Sequence, residues 1–178
     1  MTEQQQMNTS IVLTVIADDQ PGIIQTVSGV VTEFGGSWTQ SSMSSLAGQF
    51  AGILLVSVPS DKTDACVEKL HALESRGLRV IAHVSREVAV SEDTHEYALE
   101  LVGNDRPGIV HDITTLLTRH NVNVRNLETK VESASMGGGE LFRAIAKLVV
   151  PETADIDVLE SEIEELANDL MVDITFDK

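Results

Sequence analysis

Read along its hydrophobic positions, the chain repeats itself. Ile11 to Ala17 is a short, nearly continuous apolar run, as expected of a strand at a sheet centre or covered on both faces. Ile23, Ile24, Val27, Val30 and Val31 then fall at the spacing of a single helical stripe. Asp19 and Pro21 are helix-start residues, and Gly35-Gly36 stops the helix. Two extended runs, Ser37 to Ser45 and Phe50 to Val58, lie on either side of Gly48 and predict a hairpin. Asp61 to Arg76 predicts a second helix with Val67, Leu70 and Leu73 on its buried side. Gly77 ends it, and Leu78 to Val90 alternates as a final strand.

The second half restates this pattern. Asp19-Gln20-Pro21-Gly22-Ile23-Ile24 returns 86 residues later as Asp105-Arg106-Pro107-Gly108-Ile109-Val110. The stripe continues through Ile113, Leu116 and Leu117, and only His120, in place of Phe34, breaks it. Phe50 to Pro59 matches Phe142 to Pro151 at an offset of 92. The six extra residues fall around Ser135-Met136-Gly137-Gly138-Gly139, and the run Gly137-Gly138-Gly139 reads as a flexible hairpin tip. The second set of elements is Glu96 to Gly103, Pro107 to His120, Val122 to Ser133, Glu140 to Val150, Asp155 to Asn168 and Met171 to Phe176.

Both copies therefore read strand, helix, strand, strand, helix, strand. With right-handed crossovers, each folds into a four-stranded antiparallel sheet with two helices on one face, an α+β, ferredoxin-like arrangement. The expected organisation is a flexible N-terminus (1–9), a first domain (10–90), a linker (91–94) and a second domain (95–178). So short a linker implies that the copies pack on each other.

Composition narrows the chemistry. The 178 residues carry 12 basic and 28 acidic side chains, a net charge of −16. The first 90 residues hold nine acidic and five basic residues, and the last 88 hold nineteen and seven. Proteins that grip DNA through its phosphates need a basic face, so direct nucleic-acid binding is not expected. Aromatics make up 3% of the chain, which makes the core aliphatic. No apolar run is long enough for a membrane span and no signal peptide is visible. The single cysteine, Cys66, leaves no intrachain disulfide. A cytoplasmic setting fits these features.

The paired Asp-x-Pro-Gly loops are the candidate sites. A helix N-terminus offers unpaired N–H groups and partial positive charge to a carboxylate. Gly22 and Gly108 leave the backbone approachable, and Asp19 or Asp105 suits an ammonium group. Together these fit the two ends of an amino acid. The same residues also fit plain capping, with Asp satisfying the helix end and Pro setting its first turn. Arg106, which replaces Gln20 in the second loop, favours a carboxylate there. His71, His83, His95, His111 and His120 show no metal-ligand spacing, and Cys66 reads as a structural thiol. No nucleophile, paired catalytic carboxylates or phosphate loop stands out, so no enzyme and no cofactor is expected. From Glu152 to Asp177 there are ten acidic residues and no basic one. Glu160, Glu162, Glu164 and Glu165 are expected on a solvated face, off the stripe formed by Ile156, Leu159, Ile163, Leu166 and Leu170. That face also suits a basic partner.

The duplicated strand–Asp-x-Pro-Gly–helix pattern resembles the ACT domain, a small ligand-sensing module, over about Ile11 to Phe176. Two such modules with no attached catalytic domain resemble the glycine cleavage system transcriptional repressor family. That resemblance implies an amino-acid-responsive protein, with glycine as the ligand, that represses transcription by contacting a DNA-binding activator. It implies ligand contacts from Asp19, Pro21, Gly22 and Ile23, and from Asp105, Arg106, Pro107, Gly108 and Ile109. Gln40 and Asn126 join them as the second-strand positions of a neighbouring domain, the ligand lying at a domain–domain seam. The alternative is a regulatory ACT subunit of an amino-acid biosynthetic enzyme. Exposed sheet edges allow side-by-side pairing, including in a homodimer.

Overall fold

A computed structural model describes residues 7–85, 93–133 and 139–177. The chain divides into two compact units, residues 1–89 and 90–178. The first unit runs β1 (Asn8–Asp18), α1 (Ile23–Glu33), β2 (Ser37–Leu46), β3 (Gln49–Pro59), α2 (Thr63–His71) and β4 (Arg79–Val84). The second runs β5 (Thr94–Asn104), α3 (Ile109–Arg119), β6 (Asn123–Ser133), β7 (Glu140–Pro151), α4 (Ile156–Leu170) and β8 (Val172–Asp177). The sheet orders are β2-β3-β1-β4 and β6-β7-β5-β8, with every neighbouring pair antiparallel. This is the expected ferredoxin-like arrangement in both units.

Strand periodicity separates a buried face from an open one. In the first unit Ile11, Leu13, Val15 and Ala17 of β1 meet Leu54, Val56 and Val58 of β3 and Val80 of β4 on the buried face. Ile23, Val27, Val30 and Val31 of α1 and Leu70 of α2 cover them. In the second unit Leu99, Leu101, Leu148 and Val150 lie under Ile113, Leu117, Leu159 and Ile163. The strand β1 is central in its sheet, yet only one of its faces is covered. Ile16, on the other face, is 41% exposed.

Several boundaries differ from the sequence expectation. The pairing of β1 with β3 runs from Asn8↔Pro59 to Asp18↔Gln49, so backbone hydrogen bonding carries the strand beyond its apolar run. The second helical segment is not one α-helix. Tight 3-10 turns at Ser60–Lys62 and Ala72–Arg76 bracket α2, and Gly77, at φ 83°, ends the second of them. Its inward side is Thr63, Cys66 and Leu70, followed by Leu73, while Val67 is only half-buried beside them. The final strand of the first unit is β4, and residues 86–90 of the expected run lie outside the described residues. So do residues 91–92 of the expected linker and Gly137 and Gly138 of the hairpin tip. In the second unit α4 extends to Leu170, and Met171 adopts a left-handed conformation (φ 53°) as its C-cap instead of opening β8.

The polar substitution at the end of the helical stripe is answered locally. His120, which replaces Phe34 at the helix end, brings Nε2 to 3.2 Å from Glu162 Oε2, and Arg119 Nη2 stands 3.5 Å from the same carboxylate. Glu162 is therefore tied to α3 and does not share the solvated face of Glu160, Glu164 and Glu165. Asp155 caps α4 by accepting from the Val158 N–H at 3.2 Å. Among the described residues, no helix is long and apolar enough to cross a membrane.

Burial raises the pKa of the Cys66 thiol, and the nearby Glu33 carboxylate adds to the rise. The folded chain holds the neutral thiol above the pH at which the unfolded chain ionises it. The resulting stability is complete below about pH 8.5 and is lost as pH rises through the folded value. The urea midpoint should therefore fall on raising the pH above that point, and Cys66→Ala should flatten the decline. A native thiol that reacts with Ellman's reagent as fast as the denatured chain would contradict this burial.

Candidate functional site

The two strand-to-helix loops share one backbone. Gly22 and Gly108 are the N-cap residues of α1 and α3, with φ of 97° and 98°. Only glycine enters that region without strain. Neither helix start receives a side-chain cap. Among the described residues, no side chain accepts from the first-turn N–H groups at either loop. No heavy atom lies within 4 Å of where a Cβ on Gly22 would stand, and for Gly108 the nearest is Asp112 Oδ2 at 3.8 Å. At Gly22 that position is open, and at Gly108 the Asp112 carboxylate borders it.

This overturns plain capping as the role of the aspartates. A carboxylate caps from the N-cap position, which glycine holds, and Asp19 and Asp105 stand three residues earlier. Asp19 instead accepts a hydrogen bond from Ser45 Oγ on β2 at 2.5 Å, and its N–H donates to the Gly48 carbonyl at 2.9 Å. The Asp105 N–H makes the matching bond to the Glu140 carbonyl at 2.9 Å. Ser45 faces Phe50 across the sheet, and the residue that faces Phe142 in the second unit is Val131, which has no hydroxyl. The first carboxylate is latched to its hairpin by a side chain that the second unit lacks. Pro21 and Pro107 precede the cap and do not form the first turn, since the helices begin at Ile23 and Ile109.

The charged neighbours also differ. Arg106 Nη2 lies 3.5 Å from Asp112 Oδ2, both side chains being about two-fifths exposed. The first unit has Gln20 and Thr26 at these positions. Ile23 and Ile109 are 4% and 2% exposed, so their side chains belong to the core and only their backbone N–H groups face the loop. Beneath the second loop is a small cleft of about 20 Å³. Its lining is wholly apolar and includes Ile109, Val110, Leu127 and Phe142. A space of this size takes roughly one water-sized group. In the first unit Trp38 and Met43, which replace Val124 and Thr129 on the second strand, are packed against the core.

Gln40 and Asn126 each follow a bulge, after Trp38 and Val124. Gln40 faces Leu55, whose other neighbour is Val12. Asn126 faces Lys147, whose other neighbour is Ala98. These rows lie six residues before Asp18 and Asn104, or roughly 20 Å along the strand. Within a unit, neither polar residue comes near its own loop. Ser45 and Asp112 are the loop partners that spacing alone did not disclose. Ser45 becomes visible only once the hairpin register is fixed.

Two βαββαβ units in tandem, each entering its first helix through the same glycine-capped loop, define the class of fold. An ACT-domain model matches residues 9–84 and a second ACT-domain model matches residues 97–168. The chain belongs to the ACT-domain family, as two domains in tandem. A crystal structure of a protein from Galdieria sulphuraria is 27% identical, with a TM-score of 0.86, and covers 96% of this chain and 98% of its own. The structure of a proposed glycine cleavage system transcriptional repressor is 16% identical, with a TM-score of 0.67, over 96% of this chain and 97% of its own. Both share the fold over nearly the full length. No curated protein matches the chain.

Because φ, and not a close neighbour, requires glycine at each cap, Gly22→Ala and Gly108→Ala should cost about the same. The expected loss is about 1–2 kcal/mol each in urea unfolding. A loss confined to one of them would show that the two loops do not share this constraint.

Proposed function

We propose that the chain is a non-catalytic, amino-acid-responsive regulator that binds a small amino acid, glycine foremost, at its Asp-x-Pro-Gly loops. The observation that carries this reading is the duplicated open helix start, uncapped and flanked by an aspartate. The ligand carboxylate meets the first-turn N–H groups and the ammonium meets the aspartate. The second loop is the better site. Asp105 is free of the hydroxyl latch that holds Asp19, and Arg106 supplies positive charge. The exposed Arg106–Asp112 pair is worth at most about 1 kcal/mol, so a ligand carboxylate competes for the guanidinium at small cost.

The regulatory output is repression of transcription through contact with a DNA-binding activator. A net charge of −16 disfavours direct contact with phosphates and favours a protein intermediary. The relative with the same fold, a proposed repressor of the glycine cleavage system, supports this direction. The ligand shifts the response only by its difference in affinity between two states of the protein.

Calorimetric titration with glycine, alanine, serine and valine tests the ligand. Binding should weaken about three- to tenfold in Arg106→Gln, the loss expected of one exposed charge contact. Absence of heat with every amino acid, for a folded protein, would overturn the ligand assignment. Affinity purification from the native cell tests the partner. Recovery of a DNA-binding activator is expected, and recovery of a biosynthetic enzyme in its place would favour the enzyme-subunit alternative.

A further inference from the structure

The open faces of the two sheets have opposite character. In the first unit the face turned away from the helices carries Val12, Thr14 and Ile16 on β1, Ile53 and Leu55 on β3, and Ile81 on β4, with His83 and Arg79 beside it on the same strand, Arg79 Nε lying 3.6 Å from Glu74 Oε1. Gln40, Ser42 and Ser44 of β2 complete it. Ile16, Ile53 and Ile81 are 41%, 52% and 43% exposed. The only carboxylate on this face, among the described residues, is Asp18 at the strand end, where the Gln49 amide donates to it at 2.6 Å. A shallow depression of about 350 Å³ lies on it, bordered by Val12, Gln40, Ile53, Leu55 and Ser85. The matching face of the second unit carries Glu96, Glu100, Glu128, Asp173 and Asp177, interspersed with Arg143, Lys130 and Lys147.

We propose that the open face of the β1–β4 sheet is a homodimer interface, packed against the same face of a second copy of this chain. A two-fold interface sets a patch against itself, so every charge on it meets a like charge nearby. In a chain of net charge −16, most surfaces repel their own copy. This face is nearly free of carboxylates, and its centre is aliphatic and hydroxyl-bearing. A heterologous partner would instead be steered to the acidic second half, where complementary charge accelerates encounter. The area also suffices. Four strands about 4.8 Å apart and roughly 30 Å long present about 600 Å² per copy. Two copies would bury about 1,200 Å², the lower edge of specific interfaces. The proposal is independent of the ligand assignment.

Sedimentation equilibrium on the full chain, at concentrations up to about 1 mM, is the test. The expected result is a concentration-dependent species of twice 19.2 kDa. Its association should strengthen with added salt, because screening relieves the mutual repulsion of the two acidic bodies. Ile53→Lys should raise the dimer dissociation constant at least tenfold. Lysine makes the chain less negative, so that loss cannot come from added net repulsion. Ser42→Lys, on the neighbouring exposed strand, gives the same reading should Ile53→Lys fail to fold. Ile145→Lys, on the open face of the second unit, should leave association unchanged. A monomer at every concentration and salt level would overturn the proposal. So would a dimer indifferent to Ile53→Lys and Ser42→Lys, as strand-edge pairing would be, or a dimer that salt dissociates.

Discussion

Each sheet has two faces, and its two helices cover only one. That constraint governs the rest of the molecule. The side chains of a strand alternate, so a one-residue slip between β1 and β3 would carry Ile11, Leu13 and Val15 from the core to water. Register is therefore held by aliphatic burial, in a chain whose aromatics amount to 3%. The fit is close. At Gly103, a Cβ would run into Val172 on the adjoining strand, and at Gly36 it would stand 2.9 Å from both Val31 and Val58. The covered faces of the two units consequently resemble each other. The open faces are released from that demand, and there the copies diverge most.

The loops follow the same division between what the fold requires and what it leaves open. To turn from the end of β1 or β5 into a helix lying on the sheet, the chain uses a left-handed residue at the cap, and glycine supplies it in both copies. Having no side chain, that glycine leaves the helix start uncapped. The open N–H groups are thus a by-product of the turn, present twice because the turn is present twice. What surrounds them is set by neighbouring positions that the turn does not constrain: Ser45 or Val131 on the hairpin, Gln20 or Arg106 in the loop, Thr26 or Asp112 in the helix. Two backbones of one shape therefore present different electrostatics.

Much of the architecture was legible in the sequence, because the features that define it are periodic or punctuated. The Asp-x-Pro-Gly repeat, the helical stripes and the glycines at 35, 36, 48 and 77 mark element order and most ends. What periodicity cannot register is a contact whose partner comes from another element. Asp19 looks like a cap until the hairpin register brings Ser45 to it. Glu162 looks like one more solvated glutamate until α4 is laid beside His120 and Arg119. Cys66 reads as a structural thiol from the sequence, but that it is buried more deeply than Val67 depends on how α2 lies on its sheet. Gln40 and Asn126 follow bulges, and a bulge resets which face a residue occupies without changing the spacing that announced it.

The charge distribution then has a physical reading beyond solubility. Acid placed over the whole surface would keep copies apart and leave no face suited to self-association. Here many carboxylates of the second unit lie on its open face and the outward side of α4, while the open face of the first unit is nearly without them. An acidic surface draws basic partners from a distance, but its force falls within about a Debye length and weakens with salt. A neutral aliphatic surface exerts no such pull and is selective only on contact, through fit and burial. One fold, used twice, thus presents two kinds of surface, separated because the same patch cannot repel its own copy and also bind it.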